Sequence, residues 1–312
     1  MRVHMVGRVP RRIGAAFRVA CGVIGVACLA ASPASADPIV ISGGTAASMA
    51  AAAVAGTPGI SIVGGSEVYT GAAGASGHFA GAAGILPFSS GVVLTTGSAA
   101  VVPMPAGPTN PDGCPNAGVP GPNNCPSSGI NNGTAGNASL TPMAGASTYD
   151  AASLLFTFIP TGSTISLQYV FASEEYDELV AWLYRDVFAI FLNGVNIALV
   201  PSTSDPVNAT TVNASTNSAY FTPNADGGLN IQYDGLAGVR ASLIATGNVN
   251  PLQENTLQFV IADAGNRYYD SAIFVAPLEF GGPVSAPEPA TLLLVGSGLL
   301  GLVRRARTRS RA

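Results

Sequence analysis

The sequence predicts an all-β protein: an antiparallel, jelly-roll-like β-sandwich with one short N-terminal helix, flanked by an N-terminal signal and a C-terminal apolar helix. Three observations carry that expectation. After Asp150, eight short runs rich in β-branched and aromatic residues are each closed by Gly, Pro, Asn or Asp. Between residues 56 and 97 shorter apolar runs alternate with glycines, the pattern of strands joined by tight turns. Within the mature body the one helical stretch, residues 45–55, is Ala-rich and stops at Gly56.

Taken in order, residues 1–36 read as a secretory signal peptide. An Arg-rich start leads into the apolar run "VACGVIGVACLAA" and then "SPASA", with small residues before Asp37. The helix at 45–55 and the strands "GISIVGG", "GGSEVYTG" and "GVVLTTG" open the mature domain, expected over 37–282. Residues 101–148, dominated by Pro, Gly, Asn and Ser, are expected to be a long surface loop and the least ordered part of it. That loop holds Cys114 and Cys125. An exported location would let them form one local disulfide, the alternative being two unpaired thiols. The later strands are "SLLFTFIP", "STISLQYVFAS", "DVFAIFLNG", "VNIALVP", "LNIQYDG", "VRASLIATG", "NTLQFVIADA" and "SAIFVAPLEF". A body of this length can bury a substantial core as one domain.

Charge is distributed unevenly. Ten of the 13 arginines lie in the two terminal segments, and there is no lysine. Arg185, Arg240 and Arg267 alone face 17 acids between Asp37 and Glu288, a body charge of −14. Such a body lacks the clustered cations that phosphate binding needs, which argues against nucleic acid and anionic surfaces. Catalytic machinery is also thin. His78 is the only histidine outside the signal and is expected to be a turn or packing residue. A Ser-His-Asp triad, a Cys-His pair, a Schiff-base lysine and a multi-histidine zinc site therefore lack their parts.

Oxygen chemistry remains. In "STISLQYVFASEE", Ile165, Leu167, Tyr169 and Phe171 share one face, and continuing the alternation turns Ser173 and Glu175 inward and Glu174 outward. Asp186 opens the following strand, so a hairpin would set it near Glu175. Asp263 and Asp270 flank "AGNRYY" in the same way. Facing carboxylates repel unless a cation lies between them. Ca²⁺, which takes six to eight oxygens in irregular geometry, is the candidate, with Glu175, Asp186, Asp263 and Asp270 as ligands and Glu174 or Asn193 as alternates. Two other readings stay open: Arg185 and Arg267 neutralise the acids as ion pairs, or the carboxylates are simply solvated. A glycan-active enzyme using Glu175 with Asp186 is a further alternative, although Trp182, the sole tryptophan, gives no aromatic cluster to bind sugar.

The C-terminal segment, 283–312, carries Pro287-Glu288-Pro289, an apolar helix over 290–303 and an Arg-rich end. Fourteen helical residues span roughly 21 Å, short of the roughly 30 Å hydrocarbon core, so taken alone the segment is a marginal anchor. Arginines immediately after it would hold the tail on the cytoplasmic side. Its three parts resemble the PEP-CTERM sorting signal. That resemblance implies recognition by a membrane exosortase, an inner-membrane-anchored precursor, removal of the tail, and delivery to the surface or extracellular matrix of a Gram-negative bacterium.

The body resembles the choice-of-anchor L domain family. The matching residues are "GVVLTTG" (91–97), "TYDAASLLFTFIP" (148–160), "LQYVFASEEYDELV" (167–180), "DVFAIFLNGVNIALVP" (186–201), "YDGL" (233–236) and "IADAGNRYYDSAIF" (261–274). Arg185 departs from the small polar residue usual before Asp-Val-Phe. The resemblance implies a secreted or surface protein and no known reaction. The reading that results is a non-enzymatic surface or matrix protein, stabilised by Ca²⁺ and acting in adhesion or exopolysaccharide and biofilm association. A structural matrix component without a specific ligand is the nearest alternative.

Overall fold

The computed structural model describes residues 39–103, 129–176, 179–180, 185–225 and 228–280. The predicted signal peptide, Cys114, Cys125, Trp182, Pro287-Glu288-Pro289 and the apolar stretch 290–303 lie outside these residues. In chain order the elements are β1 (Val40–Ser42), α1 (Ala46–Ala53), β2 (Ile60–Ile62), β3 (Val68–Thr70), β4 (Ser76–Ala80) and β5 (Gly91–Thr95). After a 3₁₀ turn (Ala99–Val101) come α2 (Thr141–Ala144), β6 (Thr148–Pro160), β7 (Thr164–Ser173), β8 (Val187–Leu192) and β9 (Val195–Asn196). The chain continues with β10 (Phe221–Pro223), β11 (Gly235–Ala237), β12 (Leu243–Asn248), β13 (Asn255–Ala264), β14 (Ser271–Val275) and β15 (Glu279–Phe280).

These strands form two antiparallel sheets, as an all-β sandwich requires. One has nine strands, in the order β1-β4-β5-β14-β7-β11-β10 with β12 and β15 also on β7; the other has six, β2-β6-β13-β8-β9 with β3 also on β6. Consecutive long strands alternate between sheets, so the chain crosses the sandwich at β6–β7, β7–β8, β12–β13 and β13–β14. Between the sheets lies the main core, in which Phe156, Tyr169, Phe171, Phe188 and Phe259 are all fully buried. Phe171 of one sheet stacks on Phe188 of the other, with centroids 5.3 Å apart and planes 13° from parallel. Each such ring, out of water, contributes about 1.5–3 kcal/mol.

Both sheets are also covered on their outer faces. Phe79, Val93, Val170, Ala172, Tyr233 and Phe274 form a second cluster on the nine-stranded sheet. Leu140 and Ala144, from α2 and the turn before it, cover Val187, Val260 and Ala262 of the other sheet. This explains why β5 and β14 are buried at every residue: apolar runs with no alternation are the mark of strands covered on two sides.

Several local expectations change. Helix α1 forms where expected, with Thr45 as N-cap in a reciprocal pair with Ser48. His78 lies in β4, its Nε2 3.0 Å from Ser48 Oγ, so it is a packing residue within a strand and not in a turn. "LNIQYDG" forms no strand before its last residue, Gly235, which opens β11. The Asn224 side chain binds the carbonyls of Ile231 and Tyr233 and accepts from the Leu229 amide, so this segment wraps around one side chain instead of pairing. The supposed loop 101–148 is packed over residues 129–148, where Leu140 is fully buried and Asn132 donates to the carbonyls of Thr96 and Gly97.

Candidate functional site

The end of β7, the start of β8, the end of β13, the start of β14 and the start of β6 all meet at one end of the sandwich. Two crossing loops, β7–β8 and β13–β14, bring the acids there. Strands β7 and β8 do not pair as a hairpin; they belong to different sheets, and the same holds for β13 and β14. The predicted meeting of Glu175 with Asp186 nevertheless occurs, because both crossings close the same edge. Asp186 N–H donates to Glu175 Oε2 at 2.9 Å.

Six carboxylates are buried here: Asp150, Glu174, Glu175, Asp186, Asp263 and Asp270, none more than 1% exposed. Glu174, expected to point outward, is therefore a correction. It follows the last residue of β7, and with both faces of that strand covered, alternation cannot place either glutamate in solvent. Glu174 Oε1 accepts from Gln232 Nε2 (2.9 Å) and Oε2 from Asp270 N–H (3.1 Å). Asn193 lies elsewhere. It sits with φ 49° in the Asn193-Gly194 turn between β8 and β9, where it bonds Asn255 and Thr256. Strand β8 runs its length away from the acids, about 20 Å at roughly 3.3 Å per residue, so Asn193 cannot join them.

The other acids are placed by specific donors. Asp186 Oδ1 accepts from Ala264 N–H (3.1 Å) and Oδ2 from Ser271 Oγ (2.6 Å). Ser271 and Ser173, paired in register across β14 and β7, have their hydroxyls 2.8 Å apart. Asp270 Oδ2 accepts from Ile130 N–H at 3.0 Å, and it approaches so closely to Gly97 that a Cβ there would occupy its place. Asp263 lies between Ala262 and Ala264, which both face the outer cluster, so its side chain turns toward the space between the sheets. Neither of its oxygens has a partner at strict hydrogen-bond geometry, although the Thr96 hydroxyl is near enough to favour its charged form and its own carboxyl is near enough to Asp186 to favour the charged form of that group.

Positive charge is scarce. Arg267 Nη1 pairs with Asp150 Oδ1 at 3.0 Å and donates to the Thr134 carbonyl, while its guanidinium lies 4.6 Å from the Tyr149 ring centroid. Among the described residues this is the one ion pair, so Arg267 neutralises Asp150 and not Asp263 or Asp270. Arg185 favours the charged form of Glu175 from a distance, and its Nε has no hydrogen-bond partner among the described residues. If all six acids were ionised, these two arginines would leave four charges uncompensated.

The protonation equilibria reflect that imbalance. Burial pushes Asp186 up to about 8, against the pull of its hydrogen bonds from Ser271 and Ala264. Burial and the Asp186 charge raise Glu175 well above the usual carboxylate range. Burial raises Asp263 and Asp270 too, reinforced by Asp186 and Asp270 around the first and by Glu174 beside the second. The cluster must hold protons or cations at neutral pH, since an unpaired buried charge costs several kcal/mol by general estimates.

An all-oxygen donor set suits a hard cation such as Ca²⁺, and unpartnered buried oxygens on Asp150, Asp263 and Asp270 suit one as well. Against this, among the described residues no three His, Cys, Asp or Glu side chains converge in a geometry that holds a metal ion.

The choice-of-anchor L domain family matches residues 45–280, about three quarters of the chain and all of the sandwich except β1. The chain belongs to that family. A PEP-CTERM protein-sorting motif matches residues 285–308 of this choice-of-anchor L protein, five residues beyond the last described strand. It marks an exported protein with a membrane-anchored precursor that the exosortase sorting machinery recognises. No curated protein and no solved structure matches the chain. Among the described residues no helix is long and apolar enough to cross a membrane.

The sequence alone missed Asp150, because it stands in the middle of a strand-like run with no acid nearby. The signal for it was Thr134 and Arg267, which meet only in three dimensions: Thr134 N–H donates to Asp150 Oδ1 at 2.6 Å.

Proposed function

We propose that this choice-of-anchor L protein is a non-enzymatic component of the bacterial surface or extracellular matrix, acting in adhesion or exopolysaccharide association, with a sandwich stabilised by Ca²⁺ at the acid cluster. One observation carries the calcium reading: Asp263 is fully buried among other acids, with the Thr96 hydroxyl and the Asp186 carboxyl as its neighbours and no arginine beside it. Leaving it ionised without a cation would cost more than most folds can spare.

The direction of the chain supports presentation. β15 pairs with Ser166 and Ile165 at the start of β7, whereas Glu174 and Glu175 follow its far end. The described chain thus ends, on its way to the sorting motif, at the pole opposite the acids, about 30 Å off at strand rise. For glycan contact, a groove of about 330 Å³ is lined by Thr70, Thr134, Asn137, Ser153 and Gln258, uncharged groups able to pair with sugar hydroxyls. Neither Glu175 nor Asp186 lines this groove or the larger cavity beside Phe88 and Leu278, so a carboxylate-pair glycosidase gains no support from geometry.

The test is retention on exopolysaccharide from the producing cells, with calcium or with chelator, followed by assay for released sugar. Calcium-dependent retention without sugar release supports the reading. Absent retention in both buffers leaves a structural matrix component, and sugar release abolished by Glu175→Gln in a folded protein would establish the enzyme instead.

A further inference from the structure

A cavity of about 420 Å³, the size of a small-ligand site, lies on the outer face of the nine-stranded sheet and is lined by Thr57, Pro87, Phe88, Gln168, Leu278 and Glu279. Its place follows from strand alternation. Leu167 and Tyr169 belong to the core between the sheets, so Gln168 turns outward with Val170 and Ala172. Glu279 is paired in register with Ser166, two residues before Gln168, which sets its carboxylate on the same face.

The walls are fixed by the surrounding fold. Phe88 packs on Phe79 with ring centroids 5.9 Å apart and against the outer cluster. The end of α1 is tied to the segment before β15: Leu278 N–H donates to the Ala53 carbonyl at 2.8 Å, and the Thr57 hydroxyl donates to the Leu278 carbonyl. A ligand would therefore meet a preformed surface.

The cavity is electrically one-sided. No lining residue is basic, and Glu279 is exposed with no ion pair among the described residues. The last turn of α1, also without a basic residue, adds partial negative charge. Gln168 Nε2 donates to Ser242 Oγ at 2.7 Å and Thr57 spends its hydrogen on Leu278, so what these two offer a ligand is mainly oxygen. The fitting ligand brings a positive charge, further donors and an apolar face for Pro87, Phe88 and Leu278. A protonated amino sugar has all three: an ammonium that Glu279 and the Phe88 ring both attract, hydroxyls, and the C–H face of its ring. A lysine side chain supplies the charge without the hydroxyls, and an acidic sugar would be repelled by Glu279 and by a body charge of −14.

We propose that this cavity binds protonated amino-sugar units of an exopolysaccharide, with Glu279 taking the ammonium, Gln168 a hydroxyl and Phe88 the face of the ring. The assignment rests on the exopolysaccharide reading above and names the class of sugar.

The experiment is calorimetric titration of the purified exported protein with deacetylated glucosamine oligosaccharides, in mildly acidic buffer that keeps the amines protonated, against N-acetylated oligosaccharides of equal length. The deacetylated oligomers bind about tenfold more tightly, and Glu279→Gln removes that advantage. Phe88→Leu, which keeps an apolar wall, weakens binding of the deacetylated oligomer several-fold. Glu254→Gln, at an exposed acid that does not line the cavity, changes affinity by less than about threefold. Equal binding of the two oligomers, an equal loss in Glu254→Gln and Glu279→Gln, or an oligolysine bound as tightly as the sugar overturns the assignment. Retention on the producing cells' exopolysaccharide without oligomer binding defeats the assignment alone. Oligomer binding without that retention defeats the exopolysaccharide reading and leaves the cavity's preference for amino sugars standing.

Discussion

The main-chain N–H of Asp186 donates to Glu175 Oε2 at 2.9 Å, although Glu175 follows a strand of the nine-stranded sheet and Asp186 precedes one of the six-stranded sheet. The contact ties the two sheets at one edge. A second tie runs through Ser271 of β14, whose hydroxyl meets Asp186 Oδ2 and Ser173 Oγ. The acids are thus part of how the sandwich closes.

Glu174→Ala will be costly. It removes the acceptor of Gln232 Nε2 and of Asp270 N–H inside the fold, and an unmet buried donor costs about 1–3 kcal/mol. In a domain of this size that lowers the melting temperature by roughly 2–10 °C in a thermal scan. A solvent-facing glutamate would give a change near zero.

Gly97→Ala will disturb the cluster from outside it. The new methyl would take the space of Asp270 Oδ2, so Asp270 must leave its bond to Ile130 N–H or the β5 end must shift. Overpacking of this kind costs about 1–3 kcal/mol. The expected result is a lower melting temperature together with a smaller calcium response, read in paired scans with calcium and chelator.

Stability in chelator will fall as pH rises. Carboxyls of the unfolded chain titrate near 4, whereas Asp186 in the fold titrates at about 8, with Glu175, Asp263 and Asp270 shifted the same way. Above about pH 4 the folded state holds protons that the unfolded state has released, so the contribution of Asp186 is complete below about pH 4 and is lost on the way to about pH 8, and the other three carboxyls act in the same direction. Calorimetry from pH 5 to 8 should show a declining melting temperature in chelator and a much flatter profile in calcium. A profile in chelator that rises with pH would contradict the protonation account.

Replacing Pro287, Glu288 and Pro289 by alanine should leave the tail attached and the protein in the membrane fraction, read by immunoblot of fractionated cells. Unchanged processing and location would show that the matched motif at 285–308 is not what the sorting machinery reads.

Much of this was legible in the sequence, for identifiable reasons. Long strands such as β6, β7 and β13 stand out because continuous β-branched and aromatic runs leave few alternatives. The acids at Glu175, Asp186, Asp263 and Asp270 were legible because each abuts such a run. Pairing was not: acids at the ends of successive strands suggested hairpins at β7–β8 and β13–β14, but both links cross between sheets, which depends on how β14 inserts beside β7. The inward turn of Glu174 was hidden for the same reason, since alternation reports burial only when one face meets water. The packing of residues 129–148 depends on the Ile130 amide bonding Asp270 and the Thr134 amide bonding Asp150, donors that any residue except proline could supply.

The measurement that bears most directly on the central claim is the thermal unfolding of the purified protein at pH 7.5, with calcium at about a hundredfold excess over its dissociation constant and again in chelator. Binding to the folded state alone adds about 2.7 kcal/mol under those conditions, a rise of roughly 5–10 °C for a domain of this size. Coincident transitions in the two buffers would contradict the claim that a cation holds Asp263 and its neighbours inside the fold.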